Sequence, residues 1–311
     1  MSEEDLWNAA TEGNIATVKK LLENKDIDVN WGDPEFNRTA LFRACGHGRT
    51  EVVKLLLKDK RILVNKGTRR NATPFYIACQ EGNFEIVKEL LDDQRADVNQ
   101  AANEDVCPLY FACQNGYLEI VELLLMDPRV EVNQTTKEFA TPFYIACQTG
   151  NASIVELMIK DPRIDINYPS EYDVTPFYIA CQEGFIDVVK ALLKDERIDV
   201  NKGMTTGELP VFALCDRGHF DILKLVIASE KLTTLNDSFK NGNTPLEQAK
   251  NKGFEDIVKL IEDFNRDPKL TLFLLHKEFG YLCKIFFFFF LLFLLLLLFQ
   301  FFKFLILIIF K

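Results

Sequence analysis

The octapeptide TPFYIACQ is written three times, at 73–80, 141–148 and 175–182, and a worn copy, CPLYFACQ, occupies 107–114. The starts fall on one evenly spaced ladder with a single rung length. A fixed period of this size, about 34 residues, selects a repeat architecture, in which each unit is held by its neighbours and not by distant chain. Aligned on the first residue of the octapeptide, the copies begin at Thr39, Thr73, Cys107, Thr141, Thr175, Leu209 and Thr244. An eighth lies upstream, where Ala9 and Gly13 take the places that Ala44 and Gly48 hold in the next copy.

Each copy encodes the same local structure. Threonine at a helix N-cap accepts from an orphan N–H of the first turn, and proline at the next position loses no bond there. A short helix follows, FYIACQ, with its aromatic, Ala and Cys on one face. Gly82, Gly116, Gly150 and Gly184 are placed to end that helix, because glycine accepts a positive φ. The next stretch, FEIVKELL, carries Ile86, Val87, Leu90 and Leu91 on one stripe of a second helix. The unit closes on text such as DPRIDIN at 161–167, where β-branched and polar residues alternate in an extended segment.

Two short helices, a tight turn and an extended loop ending in Asn resemble the ankyrin repeat. The family pattern T-P-L-H-x-A, then G-H-x-E-[IV]-V-x-L-L-L and D-V-N, is carried well by TPFYIACQEGNFEIVKELL at 73–91 and TGNASIVELMI at 149–159. The resemblance covers residues 3–264. It implies an all-α solenoid of helix-turn-helix units joined by extended, hairpin-like loops. Tyr76, Tyr110, Tyr144 and Tyr178 stand where the family has His, so the family's Thr–His bond is replaced by aromatic packing. Most hairpin tips lack the family's Gly. The seventh copy, ELPVFALCDRGHF, keeps only the framework, and SEKLTTLND replaces its closing loop. A capped start at Ser2-Glu3-Glu4-Asp5 and the charge-rich stretch 246–267 before Pro268 read as polar end units of a finished array.

Six of the eight cysteines, Cys45, Cys79, Cys113, Cys147, Cys181 and Cys215, hold the same position in six successive copies. Equivalent positions in stacked helices lie about 8–10 Å apart, beyond the ~7 Å between Cα atoms that a disulfide tolerates. They are expected to be reduced, buried small side chains. The net charge is −10, and residues 271–311 carry four Lys and one Glu, so the array is more acidic still. Such a surface repels phosphate backbones, and no nucleic-acid partner is expected. The acidic N-terminus has no apolar run of a secretory signal.

Catalytic chemistry is not written here. Of three histidines, His219 falls on the family's Gly-His position, His276 follows the array, and His47 sits at an exposed helix end. Cys45 and His47 are two residues apart on a helix and point to different faces. No phosphate loop and no paired CxxC spacing occur. We expect no enzyme activity, no cofactor and no metal. The alternative is a targeting or regulatory subunit of an enzyme acting in trans.

What remains is a surface. The resemblance implies that a partner protein meets the exposed, concave face of the inner helices and the hairpin tips. One inner-helix row reads Arg43, Ile77, Phe111, Ile145, Ile179 and Ala213. It is expected as an apolar stripe facing solvent, although the same side chains could instead pack between repeats. One turn on, the row reads His47, Glu81, Asn115, Thr149, Glu183 and Arg217. At the tips, Lys66, Arg69 and Arg70 are basic, and Glu104, Asp105, Tyr168 and Tyr172 are acidic or aromatic. The function expected is a non-catalytic protein-interaction scaffold or adaptor, its array monomeric and its partner unspecified.

Domain organisation follows: an array over 1–264, a linker over 265–284, and a low-complexity segment over 285–311. That last segment holds 11 Phe, 9 Leu, 4 Ile, two Lys and one Gln. A helix over Ile285–Phe302 spans about 27 Å, close to a bilayer's apolar core. A C-terminal hydrophobic helix and a membrane tether through 285–310 are expected, with Arg266, Lys269, Lys277 and Lys284 keeping the array on the cytoplasmic side. Without the tether the chain is expected in the cytoplasm. A second origin stands beside this one, since Phe, Leu, Ile, Lys and Gln are all written by A/T-rich codons.

Overall fold

A computed structural model describes residues 2–238 and 242–280. The chain divides into two compact units, Met1–Ala213 and Leu214–Lys311, and the division falls inside the helix Pro210–Arg217. Among the described residues there is no strand, only an isolated antiparallel bridge between Gly32 and Thr39.

The first unit is a stack of helix pairs: α1 (Glu3–Glu12) with α2 (Ile15–Glu23), α3 (Ala40–Gly46) with α4 (Thr50–Lys58), α5 (Pro74–Gln80) with α6 (Phe84–Asp92), α7 (Pro108–Gln114) with α8 (Leu118–Met126), α9 (Pro142–Gln148) with α10 (Ala152–Ile159), and α11 (Pro176–Glu183) with α12 (Ile186–Leu193). The inner helices pack in the order α1, α3, α5, α7, α9, α11, and the outer helices in the order α2, α4, α6, α8, α10, α12. In the second unit, beyond α13 (Pro210–Arg217), α14 (Phe220–Ala228) packs on α16 (Glu255–Arg266) and α17 (Pro268–Glu278), and α16 packs on α15 (Pro245–Lys252). The stretch expected as a linker, 265–284, thus contains the end of α16 and all of α17. Asp267 caps α17 by accepting from the Leu270 N–H at 3.0 Å.

The inner helices start as the repeat text dictates. Thr39, Thr73, Thr141 and Thr175 each accept at Oγ1 from the N–H three residues on, at 3.0–3.1 Å. These hydroxyls are buried and satisfied at once. Phe75, Phe143 and Phe177 behind them are fully buried, as are the periodic cysteines. Every described cysteine is a free thiol. Burial pushes the Cys107 thiol up to about 11 and the Cys215 thiol up to about 12.

Adjacent repeats are joined by three recurring devices. The first is an arginine. Arg61, Arg95, Arg129, Arg163 and Arg197 each donate to a carbonyl at the C-terminal end of the preceding outer helix, at 2.6–3.0 Å. Each is held by the aspartate two positions before it. The second is an asparagine. Asn99, for example, donates to the Arg129 carbonyl at 2.7 Å and accepts from the Glu131 N–H at 2.9 Å. Asn30, Asn65, Asn133 and Asn167 make the same pair of bonds across their junctions.

The third is one backbone bond between neighbouring tips. The N–H groups of Arg69, Asn103, Lys137, Glu171 and Thr205 donate to the carbonyls of Phe36, Arg70, Glu104, Glu138 and Tyr172 at 2.8–3.1 Å. Each tip turns through a left-handed residue, at Asn37, Asn71, Asp105, Phe139, Asp173 and Gly207. Only the last is the family's Gly. Between the helix pairs, Asn83 and Asn151 donate to the Cys45 and Cys113 carbonyls at 2.7 and 2.8 Å. Their counterparts Tyr117 and Phe185 lie on Gly82 and Gly150, where a Cβ would come within 2.6–2.7 Å of the ring.

Candidate interaction surface

The inner-helix row expected to be an apolar stripe is largely not one. Ile145 and Ile179 are 4% and 5% exposed, and Ala213 is buried as well. The reason is lateral: α9 is flanked by α7 and α11, and its isoleucine is used up between neighbouring repeats. Ile77 and Phe111 are half-buried, and the Phe111 ring meets Tyr76 edge-on at 5.3 Å. Arg43 is also half-buried, its guanidinium 4.7 Å from the Trp7 ring centre and its Nε donating to Thr11 Oγ1 at 3.2 Å. The apolar row therefore belongs mainly to stacking.

One turn on, His47, Glu81, Asn115, Thr149 and Glu183 are all exposed. The open face of the inner helices is polar. Asn115 donates to the Gln80 carbonyl at 3.0 Å, and His47 lies 3.2 Å from Arg43 through Nε2. Cys45 is fully buried while His47 is at the surface, so the two form no nucleophile–base pair. Among the described residues no group of three or more His, Cys, Asp or Glu is placed to hold a metal.

The tips split into two kinds. Arg69, Arg70, Glu104, Asp105 and Tyr172 are exposed, whereas Lys66 and Tyr168 are half-buried. Lys66 Nζ donates to the Asn30 carbonyl at 2.7 Å, which gives it a structural role between repeats. Tyr172 is 63% exposed, and it has a left-handed φ of 61°. Sequence reasoning passed over two further aromatics, Phe36 at 40% and Phe139 at 56% exposure. Phe139 also has a left-handed φ, 60°, where a bulky side chain is an outlier. The signal was present: one repeat to either side of Phe139, the same position is filled by Asp105 and Asp173, residues that suit the turn.

A cavity of about 310 Å³ opens between the tips and the inner helices, walled by Phe36, Phe42 and Tyr76 and by Arg38, Arg69 and Arg70. Arg38 lies over the Phe36 ring at 4.4 Å and pairs with Asp33 at 2.9 Å. Burial alone would raise the Asp33 carboxyl. Hydrogen bonds from Arg38 and from the Phe36 and Arg38 N–H groups outweigh that and bring it down to about 2.

In the second unit, Lys224 bridges Asp221 and Glu278 at 2.9 and 2.6 Å. On α17, Leu270, Phe273 and Leu274 are each at least half exposed. No helix among the described residues is long and apolar enough to cross a membrane. The expected C-terminal span at 285–311 lies outside the described residues.

Stacked helix pairs with hairpin-like tips and bridging Asp, Arg and Asn side chains define a helical repeat solenoid of the ankyrin type. A family model described as ankyrin repeats (3 copies) matches residues 6–102, 60–136 and 109–204. The chain belongs to the ankyrin-repeat family. Its structure is similar to that of EF0377, an ankyrin repeat protein, with a TM-score of 0.56 and 26% identity over 60% of this chain and 96% of that one. It is also similar to the human ASB11 ankyrin repeat domain, with a TM-score of 0.61 and 25% identity over 72% of this chain and 97% of that one. No curated protein matches it in sequence. Ankyrin repeats are in general protein–protein interaction modules, and the fold is typically a non-catalytic scaffold.

Proposed function

We propose that the chain is a non-catalytic scaffold that holds a partner protein along the open face of its inner helices and across its fingertips. One observation carries this reading. In the repeats of the first unit, the capping Thr, the periodic Cys, the Arg of each D-x-R and the Asn at each junction are spent on the fold, and the exposed row His47, Glu81, Asn115, Thr149 and Glu183 stands open beside tips that present Tyr172 and Phe139. A framework ordered in advance loses little conformational entropy on binding.

The test is affinity capture with the full-length chain and with a Glu81→Lys, Thr149→Lys, Glu183→Lys variant, all at exposed positions. Loss of the retained partner with an unchanged melting curve is expected. Equal retention by both proteins sinks the assignment of this face.

A second reading, a membrane tether at the C-terminus, is favoured by α17. Its exposed apolar residues Leu270, Phe273 and Leu274 stand beside exposed Lys269 and Lys277, the mixture that suits a lipid interface. The apolar text begins at Ile285, shortly after that helix ends at Glu278. On this reading the scaffold presents its partner at a cytoplasmic membrane face.

A further inference from the structure

We propose that the cavity between the inner helices and the first fingertips is a docking site for an acidic segment of a polypeptide partner. A carboxylate would be seated by Arg69 and Arg70, and an adjoining apolar side chain would rest against Phe36, Phe42 and Tyr76. The proposal rests on the scaffold reading above and gives the chemistry of one occupant.

Three features of the cavity point to this occupant. Its wall contains three arginines and no acidic side chain, in a chain where Asp and Glu outnumber Lys and Arg by 46 to 36. The general repulsion of an acidic ligand is screened beyond about 8–10 Å, so the local sign decides. Second, the three guanidiniums are not equivalent. Arg38 is compensated by Asp33 and fixed on the Phe36 ring, so it shapes the wall. Arg69 spends one nitrogen on the Pro34 carbonyl at 2.5 Å, and its remaining donors are open. The exposed Arg70 guanidinium has no hydrogen bond or ion pair among the described residues. A planar fork of donors is what binds a carboxylate through two parallel bonds.

Third, the site is held before any ligand arrives. The Arg69 N–H donates to the Phe36 carbonyl at 2.9 Å, and the Arg70 carbonyl accepts from the Asn103 N–H at 3.1 Å. On the neighbouring tip, Glu104 pairs with Lys137 at 3.5 Å and does not line the cavity. A volume of about 310 Å³ takes one or two side chains, at the lower end of small-ligand sites.

The experiment is selection of a random dodecapeptide library on the full-length chain, with an Arg69→Gln, Arg70→Gln variant as the counter-target. The enriched peptides are expected to carry at least two Asp or Glu beside an apolar residue. A fluorescein-labelled copy should bind the double variant about tenfold more weakly or worse and lose affinity as salt rises. Should the double variant melt early, Arg70→Gln alone serves, since its guanidinium makes no bond among the described residues, and a weakening of about threefold or more is expected. The proposal is overturned if no acidic consensus emerges, if acidic peptides bind both proteins alike, or if only a phosphorylated copy binds. Failure here, with the Glu81, Thr149, Glu183 variant still losing its captured partner, removes the acidic pocket and leaves the scaffold reading standing.

Discussion

Arg129 Nη2 donates both to the Leu91 carbonyl at 2.8 Å, across 38 residues of sequence, and to Asp127 Oδ2 at 2.6 Å, while its Nε donates to Asp127 Oδ1 at 3.0 Å. The carbonyl is one of the four that the end of an α-helix leaves without an internal partner, and a cation there also meets the negative end of the helix dipole. Five junctions of the first unit are fastened in this way. The D-x-R text that closes each repeat is therefore a connector between units, one of three recurring devices that couple neighbours in the stack.

Replacing Arg129 by Ala is expected to destabilise the chain by about 1–3 kcal/mol, the usual cost of losing hydrogen bonds to a charged group. Lysine should restore only part of this, because an ammonium lacks the planar fork that holds both oxygens of Asp127 while one nitrogen also reaches Leu91. Urea unfolding reads the midpoint, and hydrogen exchange should show loosening concentrated at the ends of α6 and α8. A lysine variant as stable as the native chain would falsify the connector role.

The same pairs set the response to acid. Asp59, Asp93, Asp127 and Asp161 are held below the ordinary carboxylate range, mainly by hydrogen bonds from their arginines. A carboxyl whose native pKa is depressed contributes stability above its unfolded value, and that stability is lost as pH falls through the native one. The urea midpoint should therefore hold between about pH 6 and 8 and fall below about pH 4. The Arg129→Ala variant should show a shallower fall across that acid range. A midpoint that declines on going from pH 6 to 8 contradicts this assignment.

Much of this was legible in the text and some was not. The threonine caps, the buried cysteines and the terminating glycines follow from local chemistry repeated at a fixed period, and a period is what sequence shows best. Whether Ile145 is open or covered is another matter. It depends on the side chains that the neighbouring repeats bring against it, so Ile77 is half-buried and Ile145 is buried at equivalent positions. The role of Arg129 was hidden for a related reason: its acceptor is a backbone carbonyl, which leaves no mark in the sequence. At Phe139 the mark is indirect: the left-handed turn is signalled by Asp105 and Asp173 at the same position of the neighbouring repeats, and not by the phenylalanine itself.

Thiol chemistry gives a direct check on the core. Burial pushes the periodic cysteine thiols above their ordinary value, and a thiol reacts through its thiolate. At pH 8 the six should remain unlabelled by a soluble aromatic disulfide for as long as the chain is folded, and all should react in urea. Mass mapping after a brief exposure identifies the labelled sites. Rapid native labelling of Cys79 or Cys147 would mean that the stack opens far more readily than its burial suggests.

Phe139 offers a stabilising substitution. Its left-handed backbone suits glycine, which lacks the Cβ that makes this region costly for a phenylalanine. With the ring 56% exposed, Phe139→Gly should stabilise the isolated chain by about 0.5–1 kcal/mol, less whatever contact the ring keeps. If the ring serves as an anchor for a partner, the same variant should bind that partner more weakly, so stability and binding move in opposite directions. A thermal melt and a capture assay on one preparation decide it. A variant that is less stable shows that the ring is part of the tip's packing.

Every residue of Ile285–Phe302 is Phe, Leu or Ile except Gln300. At roughly −0.3 to −0.6 kcal/mol each, these side chains favour insertion by about 5–10 kcal/mol, more than the ~2.5–3.5 kcal/mol that a lysine costs at mid-bilayer. Lys303 lies beyond the stretch and can reach the interface. The basic residues Arg266, Lys269, Lys277 and Lys284 precede it, which favours retention of the repeats on the cytoplasmic side. The native protein should therefore resist extraction by alkaline carbonate, and a truncation at residue 284 should be released. Mass spectrometry of the native C-terminus runs beside this, because the composition of the segment is also what translated A/T-rich DNA would give. A native chain that ends before residue 285, or that washes off membranes at high pH, removes the tether. The exposed Leu270, Phe273 and Leu274 of α17 would then need a protein partner to cover them.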